Sequence, residues 1–139
     1  MDDWARRRRQ AIAAHEVAQR QLQAAEADEA AALLARFVAE AARRGFAPVP
    51  LTARPYRGWG RCRTGLHGWY LKADRSLAVG TDHNLYLLSV PPSLRARLVG
   101  VRLAPARPRL VIGAGGRDGE SIPLATLLDR RLAHDTTRR

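Results

Sequence analysis

Hydrophobic patterning divides the chain at Gly45. From Trp4 to Arg44 there is no Gly or Pro, and Ala, Gln, Glu, Arg and Leu dominate, residues that lose little conformational freedom in a helix. In the second half of this stretch Ala30, Leu33, Leu34, Phe37, Val38 and Ala41 recur at the three-and-four spacing of one buried helical face. In the first half the large apolar residues are Trp4, Ile12, Val17 and Leu22, too scattered for a core stripe. The spacing therefore predicts a helix whose second half packs on the protein and whose first half projects as an arm. Asp2 or Asp3 caps its start, where a carboxylate also suits the helix dipole. At its end Gly45 offers the left-handed position, Phe46 the accompanying apolar contact, and Pro48 blocks continuation. Such a helix extends about 60 Å at 1.5 Å per residue.

Beyond Phe46 the period shortens. Runs of β-branched and aromatic residues alternate with turn residues, which predicts strands near 49–53, 58–63, 68–73, 77–81, 85–90, 96–103 and 109–112. Asp74-Arg75-Ser76 and Asp82-His83-Asn84 read as short hairpin connections. Ser121 and Pro123 open a final helix with Leu124, Leu127, Leu128 and Leu132 on its apolar face. The fold class is α+β: a long N-terminal helix, an antiparallel β-meander or partly closed small barrel, and a short C-terminal helix. The expected units are a helical arm over 1–45, a β-rich domain with its C-terminal helix over 46–135, and a tail over 136–139.

Composition narrows the function classes. A chain of 139 residues implies one domain, and at this size roughly 68% of the unfolded surface is buried without help from a metal or disulfide. The single cysteine, Cys62, excludes an internal disulfide framework and a multi-thiolate zinc site. No apolar run approaches the roughly 20 residues of a membrane span. Met1-Asp2-Asp3 leads into no apolar leader, so the expectation is a soluble cytoplasmic protein. The net charge is +11. Of the 24 basic residues all but Lys72 are Arg, a bias typical of G+C-rich coding, but such bias selects the cation and does not create the excess over acids. The excess is also lopsided: residues 1–44 carry 8 Arg against 7 Asp/Glu, whereas 45–139 carry 16 Arg/Lys against 6. The β-rich part is the cationic part.

The stretches Gly68-Trp69-Tyr70-Leu71, Asp74-Arg75-Ser76-Leu77-Ala78-Val79-Gly80-Thr81-Asp82 and Gly115-Gly116-Arg117-Asp118-Gly119-Glu120-Ser121-Ile122-Pro123-Leu124 resemble small uncharacterised proteins of high-G+C actinobacteria. The resemblance spans roughly 46–132 and implies a lineage without an activity.

Arg57-Gly58-Trp59-Gly60-Arg61-Cys62-Arg63 is the segment richest in binding chemistry. In a regular strand Arg57, Trp59, Arg61 and Arg63 share one face, offering an indole to stack a base and guanidiniums to take phosphates. Tyr56 and Arg54 extend that surface. The competing reading buries Trp59 in the core, with a bulge at Gly58 or Gly60 shifting the alternation. Arg6, Arg7, Arg8 and Arg9 oppose the helix dipole, which points to an anionic partner. The plainer reading is a solvated helix end relieved by Asp2–Arg6 and Asp3–Arg7 pairs. Arg95, Arg97 and Arg102, with Arg107 and Arg109 beyond, form either a second basic patch or the solvent side of an edge strand. Gly115, Gly116 and Arg117 lie between a strand and a helix, as anion-binding loops do, but fit neither the GxGxxG nor the GKS/GKT pattern. Ala11, Ala14, Ala18 and Ala25 continue into a heptad-like seam of small residues that admits a close partner helix.

Catalysis finds little support. His15, His67, His83 and His134 form no ligand pair. Cys62 lies between two Arg, which lowers a thiol pKa if exposed, but a lone strand cysteine also serves as a small buried hydrophobe. Cys62 with His67 across a turn at Thr64-Gly65, and Asp118 with Glu120, are the nearest approaches to a reactive pair. No catalytic residue, cofactor or metal is assigned. The sequence points first to a non-enzymatic nucleic-acid-binding module, for RNA or the ribosome, using the Arg/Trp surface with Arg6–Arg9 as a second anchor. The alternative is a protein–protein adaptor or regulator whose Ala-rich helix pairs with a partner or with a second copy.

Overall fold

The computed structural model describes residues 2–113 and 121–135. Helix α1 runs unbroken over Asp2–Arg43. It stops as its last residues dictate. Gly45 adopts φ 76°, its N–H bonds the Ala42 carbonyl at 3.2 Å, and the Phe46 N–H bonds the Ala41 carbonyl at 2.8 Å, the two bonds of a Schellman stop. Phe46 then packs into the core.

Four strands follow as an antiparallel meander: β1 (Val49–Pro55), β2 (Cys62–Tyr70), β3 (Leu77–Gly80) and β4 (Leu85–Leu87). The chain continues through Leu88 into β5 (Ser89–Val90), which pairs in parallel with β1 at the far edge of the sheet. One extended run, 85–90, thus reaches both edges, and the sheet curls into a partly closed barrel. Leu88 is the stitch. Its N–H donates to the Ser76 carbonyl on the β3 side, and its carbonyl accepts from the Arg54 N–H of β1. The sheet is therefore mixed rather than wholly antiparallel.

Period-2 alternation separates two cores. Trp69, Leu77, Val79 and Leu85 face outward against α1 and against α3 (Leu124–Asp135), meeting Ala30, Leu34, Phe37, Val38, Leu124, Leu127 and Leu128. The Trp69 ring meets Phe37 edge-on at 5.8 Å, and its indole N–H donates to the Phe46 carbonyl at 3.2 Å. Residues of opposite parity, Ala78 and Tyr86 among them, fill the barrel interior with Leu51, Ala53, Cys62, Leu88 and Val90. Strands β6 (Val111–Ile112) and β7 (Ile122–Pro123) form a small separate hairpin leading into α3.

Three local expectations are corrected. Residues 58–61 are not strand: Gly58 and Gly60 hold φ 87° and 108°, and the segment loops from β1 to β2. Residues 64–65 are not a turn but a bulge inside β2, where Gly65 takes φ 72° and the pairing with β1 shifts between Pro50 and Thr52. Thr64 Oγ1 closes the bulge, donating to the Leu51 carbonyl at 2.6 Å and accepting the Leu66 N–H at 3.1 Å. Residues 96–103 are not a strand either. Leu94–Val99 form a short helix, α2, because the Ser93 side chain caps it by accepting the Ala96 N–H and Gly100 ends it.

The outer half of α1 is an arm. Residues 2–25 are exposed apart from half-buried Ala5. The first polar ties to the domain are Arg107 Nη2 donating to Gln23 Oε1 at 3.1 Å and the Leu110 N–H donating to Glu26 Oε1 at 3.2 Å. Among the described residues no helix is long and apolar enough to cross a membrane.

Candidate functional site

Four basic side chains of the β-rich part, Arg63, Arg95, Arg97 and Arg102, lie on or beside α2. Ala96 is the buried residue of this helix, and it seats the helix over one end of the barrel, beside Leu51, Cys62 and Val90. At 100° per residue the neighbours of Ala96 on either flank are Arg97 on one side and Arg95 with Val99 on the other, leaving Leu94 and Leu98 on the crest. The two leucines and Val99 are exposed.

On the first flank Arg97 lies flat against the loop before β2. Its guanidinium carbon sits 4.3 Å from the centroid of the Trp59 ring, within cation–π range. Gly60 lets the loop come this close, since a Cβ there would stand 3.1 Å from Arg97 Nε. Trp59 nevertheless remains 78% exposed. The indole is thus a surface platform held on one side by a guanidinium, not a core residue. Nearby, Arg57 stands 5.8 Å over the Tyr56 ring, and Tyr56 and Arg61 are exposed.

On the second flank α2 and the β2 bulge border an open groove of about 640 Å³, lined by Arg63, Arg95 and Arg102 together with Val99 and Val101. Two hydrogen bonds join its sides. The Val101 N–H donates to the Arg63 carbonyl at 2.7 Å, and Arg63 Nη2 donates to the Leu98 carbonyl at 3.3 Å. Gly100, at φ 98° and ψ 175°, permits the approach, because a Cβ would fall 2.8 Å from that same Arg63 carbonyl oxygen.

No carboxylate neutralises this surface among the described residues. Between Gly45 and Gly113 the sequence holds only Asp74 and Asp82 as acids, and both are engaged in their own turns. Asp74 accepts from the Ser76 hydroxyl at 2.7 Å and the Ser76 N–H at 3.0 Å, and chiefly the hydroxyl holds its carboxyl below the usual range. At Asp82 burial pushes the pKa up, but the Tyr86 hydroxyl and the Asn84 N–H outweigh it and the net shift is downward. Tyr86 is raised in turn, by burial first and by the Asp82 bond second.

The sequence-based candidates are thus partly united. Arg57, Trp59 and Arg61 stand in the loop between β1 and β2 and Arg63 at the start of β2, so strand parity does not set their faces, and Trp59 and Arg63 border α2 from opposite flanks. Arg95, Arg97 and Arg102, read as either a second basic patch or the solvent side of an edge strand, border α2 instead: Arg95 and Arg97 stand on the helix, and Arg102 follows it just past Gly100. Arg6, Arg7, Arg8 and Arg9 stand on the exposed arm, about 21–25 Å along the helix from Gln23 at 1.5 Å per residue. Arg8 stacks on Trp4 at 5.5 Å, and neither Asp2–Arg6 nor Asp3–Arg7 closes to an ion pair among the described residues. Ala11, Ala14, Ala18 and Ala25 are exposed on that arm. Gly115, Gly116 and Arg117, with Asp118 and Glu120, lie outside the described residues. Cys62 is buried in the barrel interior whereas His67 is exposed, so they form no reactive pair. Among the described residues no cluster of His, Cys, Asp or Glu is arranged to hold a metal.

Comparison of the chain with protein families, with curated proteins and with solved structures returns no match. The meaning of the α2 surface rests on its own geometry.

Proposed function

We propose that the chain is a non-enzymatic binding module for single-stranded nucleic acid, RNA foremost, and that the α2 surface is its contact face. The observation that supports this reading is the exposed Trp59 platform backed by Arg97 at 4.3 Å, beside guanidiniums with no carboxylate partner among the described residues. Exposed arginines near an open aromatic face match the two demands of a single strand: phosphates to neutralise and bases to stack. Burial does not account for the tryptophan, and no ion pair among the described residues accounts for the arginines. The test is fluorescence anisotropy of labelled single-stranded RNA, single-stranded DNA and duplex DNA across a salt series. Binding that persists at about 0.15 M salt and prefers single strands supports the reading; indiscriminate binding that vanishes there marks simple counterion release.

A second reading draws on the arm. Trp4, Ile12 and Leu22 are 68%, 52% and 71% exposed on a helix that stands clear of the domain, as an adaptor helix would before meeting a partner or a second copy. Light scattering after size exclusion tests it, with a concentration-dependent dimer that Ala18→Glu or Ala25→Glu abolishes as the supporting result.

A further inference from the structure

The groove on the second flank of α2 has no role in the stacking platform, yet it concentrates Arg63, Arg95 and Arg102 around one recess. Three like charges around one recess repel one another, and stability gives no reason to collect them. Arg63 is moreover anchored from the Leu98 carbonyl at 3.3 Å, which fixes one guanidinium at the recess in advance of any ligand. One anchored guanidinium beside two others, with no carboxylate paired to them among the described residues, suits an anion from outside, and guanidinium forks suit phosphate oxygens in particular.

The wall says more about the anion. Val99, 71% exposed, and half-buried Val101 give the groove an apolar side. An inorganic ion has no use for such a side, whereas a sugar carrying its phosphate does. Trp59 lies on the opposite flank of α2, across a helix whose diameter with side chains is about 10 Å. Leu94 and Leu98 crown the ridge between the two. A ligand that engages both flanks must be extended, phosphate-bearing and equipped with planar groups.

Building on the single-strand reading, we propose that the Arg63–Arg95–Arg102 groove is the phosphate seat of one nucleotide of a single strand, and that the strand crosses α2 to stack a neighbouring base on Trp59. A bilayer surface is disfavoured because the three arginines border a recess, and a flat sheet of headgroups resting on Leu94 and Leu98 leaves that recess unfilled.

The test uses the full chain and a labelled 12-nucleotide oligouridylate. It compares wild type, the double variant Arg95→Ala/Arg102→Ala, and Arg75→Ala as a control, since Arg75 stands over Tyr70 in the β2–β3 turn. All three arginines are exposed, so circular dichroism should show an unchanged fold. The expected result is at least tenfold weaker binding by the double variant at about 0.15 M salt. Its plot of log affinity against log salt should flatten by about 0.7 for each phosphate that is no longer neutralised, while Arg75→Ala stays at the wild-type value. A double variant indistinguishable from Arg75→Ala overturns the groove assignment; if Trp59→Ala still weakens binding, the single-strand reading survives that failure. Absence of wild-type binding at this salt overturns both. Tighter binding to phosphatidylserine vesicles than to the oligonucleotide, abolished by Leu98→Asp, also overturns the seat and reassigns the face to a membrane surface.

Discussion

Arg97 lies over the indole of Trp59, its guanidinium carbon 4.3 Å from the ring centroid. The two residues belong to different elements, a six-residue helix and the loop before β2, and nothing local in the sequence pairs them. Their meeting depends on the seating of α2, which depends in turn on Ser93, Ala96 and Gly100. The surface is therefore as sound as the docking of one short helix.

Gly100→Ala tests that docking. The backbone at φ 98° and ψ 175° belongs to a region that is essentially Gly-only, and forcing a side chain there costs about 1–3 kcal/mol. The new Cβ would also press on the Arg63 carbonyl 2.8 Å away. Urea unfolding should show a loss of stability of at least that size. Equal midpoints for variant and wild type would mean that α2 is not held as described.

The division of α1 into a packed half and an arm predicts unequal responses to truncating its leucines. Leu34 is completely buried between the sheet and α3, and Leu34→Ala should cost about 2–5 kcal/mol by cavity formation. Leu22, 71% exposed, should change stability by less than about 0.5 kcal/mol on the same substitution. Thermal unfolding of both variants distinguishes this from an arm that folds back on the domain, in which case Leu22→Ala would also be costly.

Much of this architecture is legible locally. The α1 stop needs Gly45, Phe46 and their two backbone bonds, all within one turn, so the pattern of residues suffices. Leu124, Leu127 and Leu128 mark α3 by spacing alone. The failures come where local preference and context disagree. Leu98-Val99-Gly100-Val101-Arg102-Leu103 looks like a strand because of its valines, but Ser93 after two prolines and Gly100 six residues past Leu94 carry the cap signals, and capping decides. Residues 57–63 alternate like a strand, yet the positive φ of Gly58 and Gly60 makes 58–61 a loop and leaves only Cys62 and Arg63 in β2. Trp59 and Arg63 border α2 all the same, by a route parity does not describe. Barrel closure is legible only as one of two alternatives, since the pairing of 85–90 with both β3 and β1 is non-local.

Glu40 supplies a pH signature. Hydrogen bonds from Arg43 first, and from Arg44 at 2.7 Å, lower its carboxyl from 4.5 to about 2. A carboxylate depressed in the folded state stabilises it above the unfolded pKa and loses that contribution as pH falls through the folded value. Wild type should therefore exceed Glu40→Gln in Tm at pH 7 and down to about 4.5, with the gap closing between there and about 2. A gap that is constant across this range would contradict the ion-pair account. The pair is solvent-facing, so the gap should also shrink at high salt.

Cys62, 1% exposed inside the barrel, should resist a thiol reagent such as dithionitrobenzoate in native buffer and react fully in urea. Rapid native labelling would show that the barrel opens or that Cys62 belongs to an accessible site.

The central claim is that Trp59 stacks a base. The most direct measurement is the affinity of wild type, Trp59→Phe and Trp59→Ala for a labelled single-stranded RNA at about 0.15 M salt, with fold checked by circular dichroism. One stacked base is worth about 1–3 kcal/mol, so Trp59→Ala should weaken binding roughly five- to hundredfold, and Trp59→Phe should keep much of the affinity. Equal affinities for all three proteins, or no binding by any, would contradict the account.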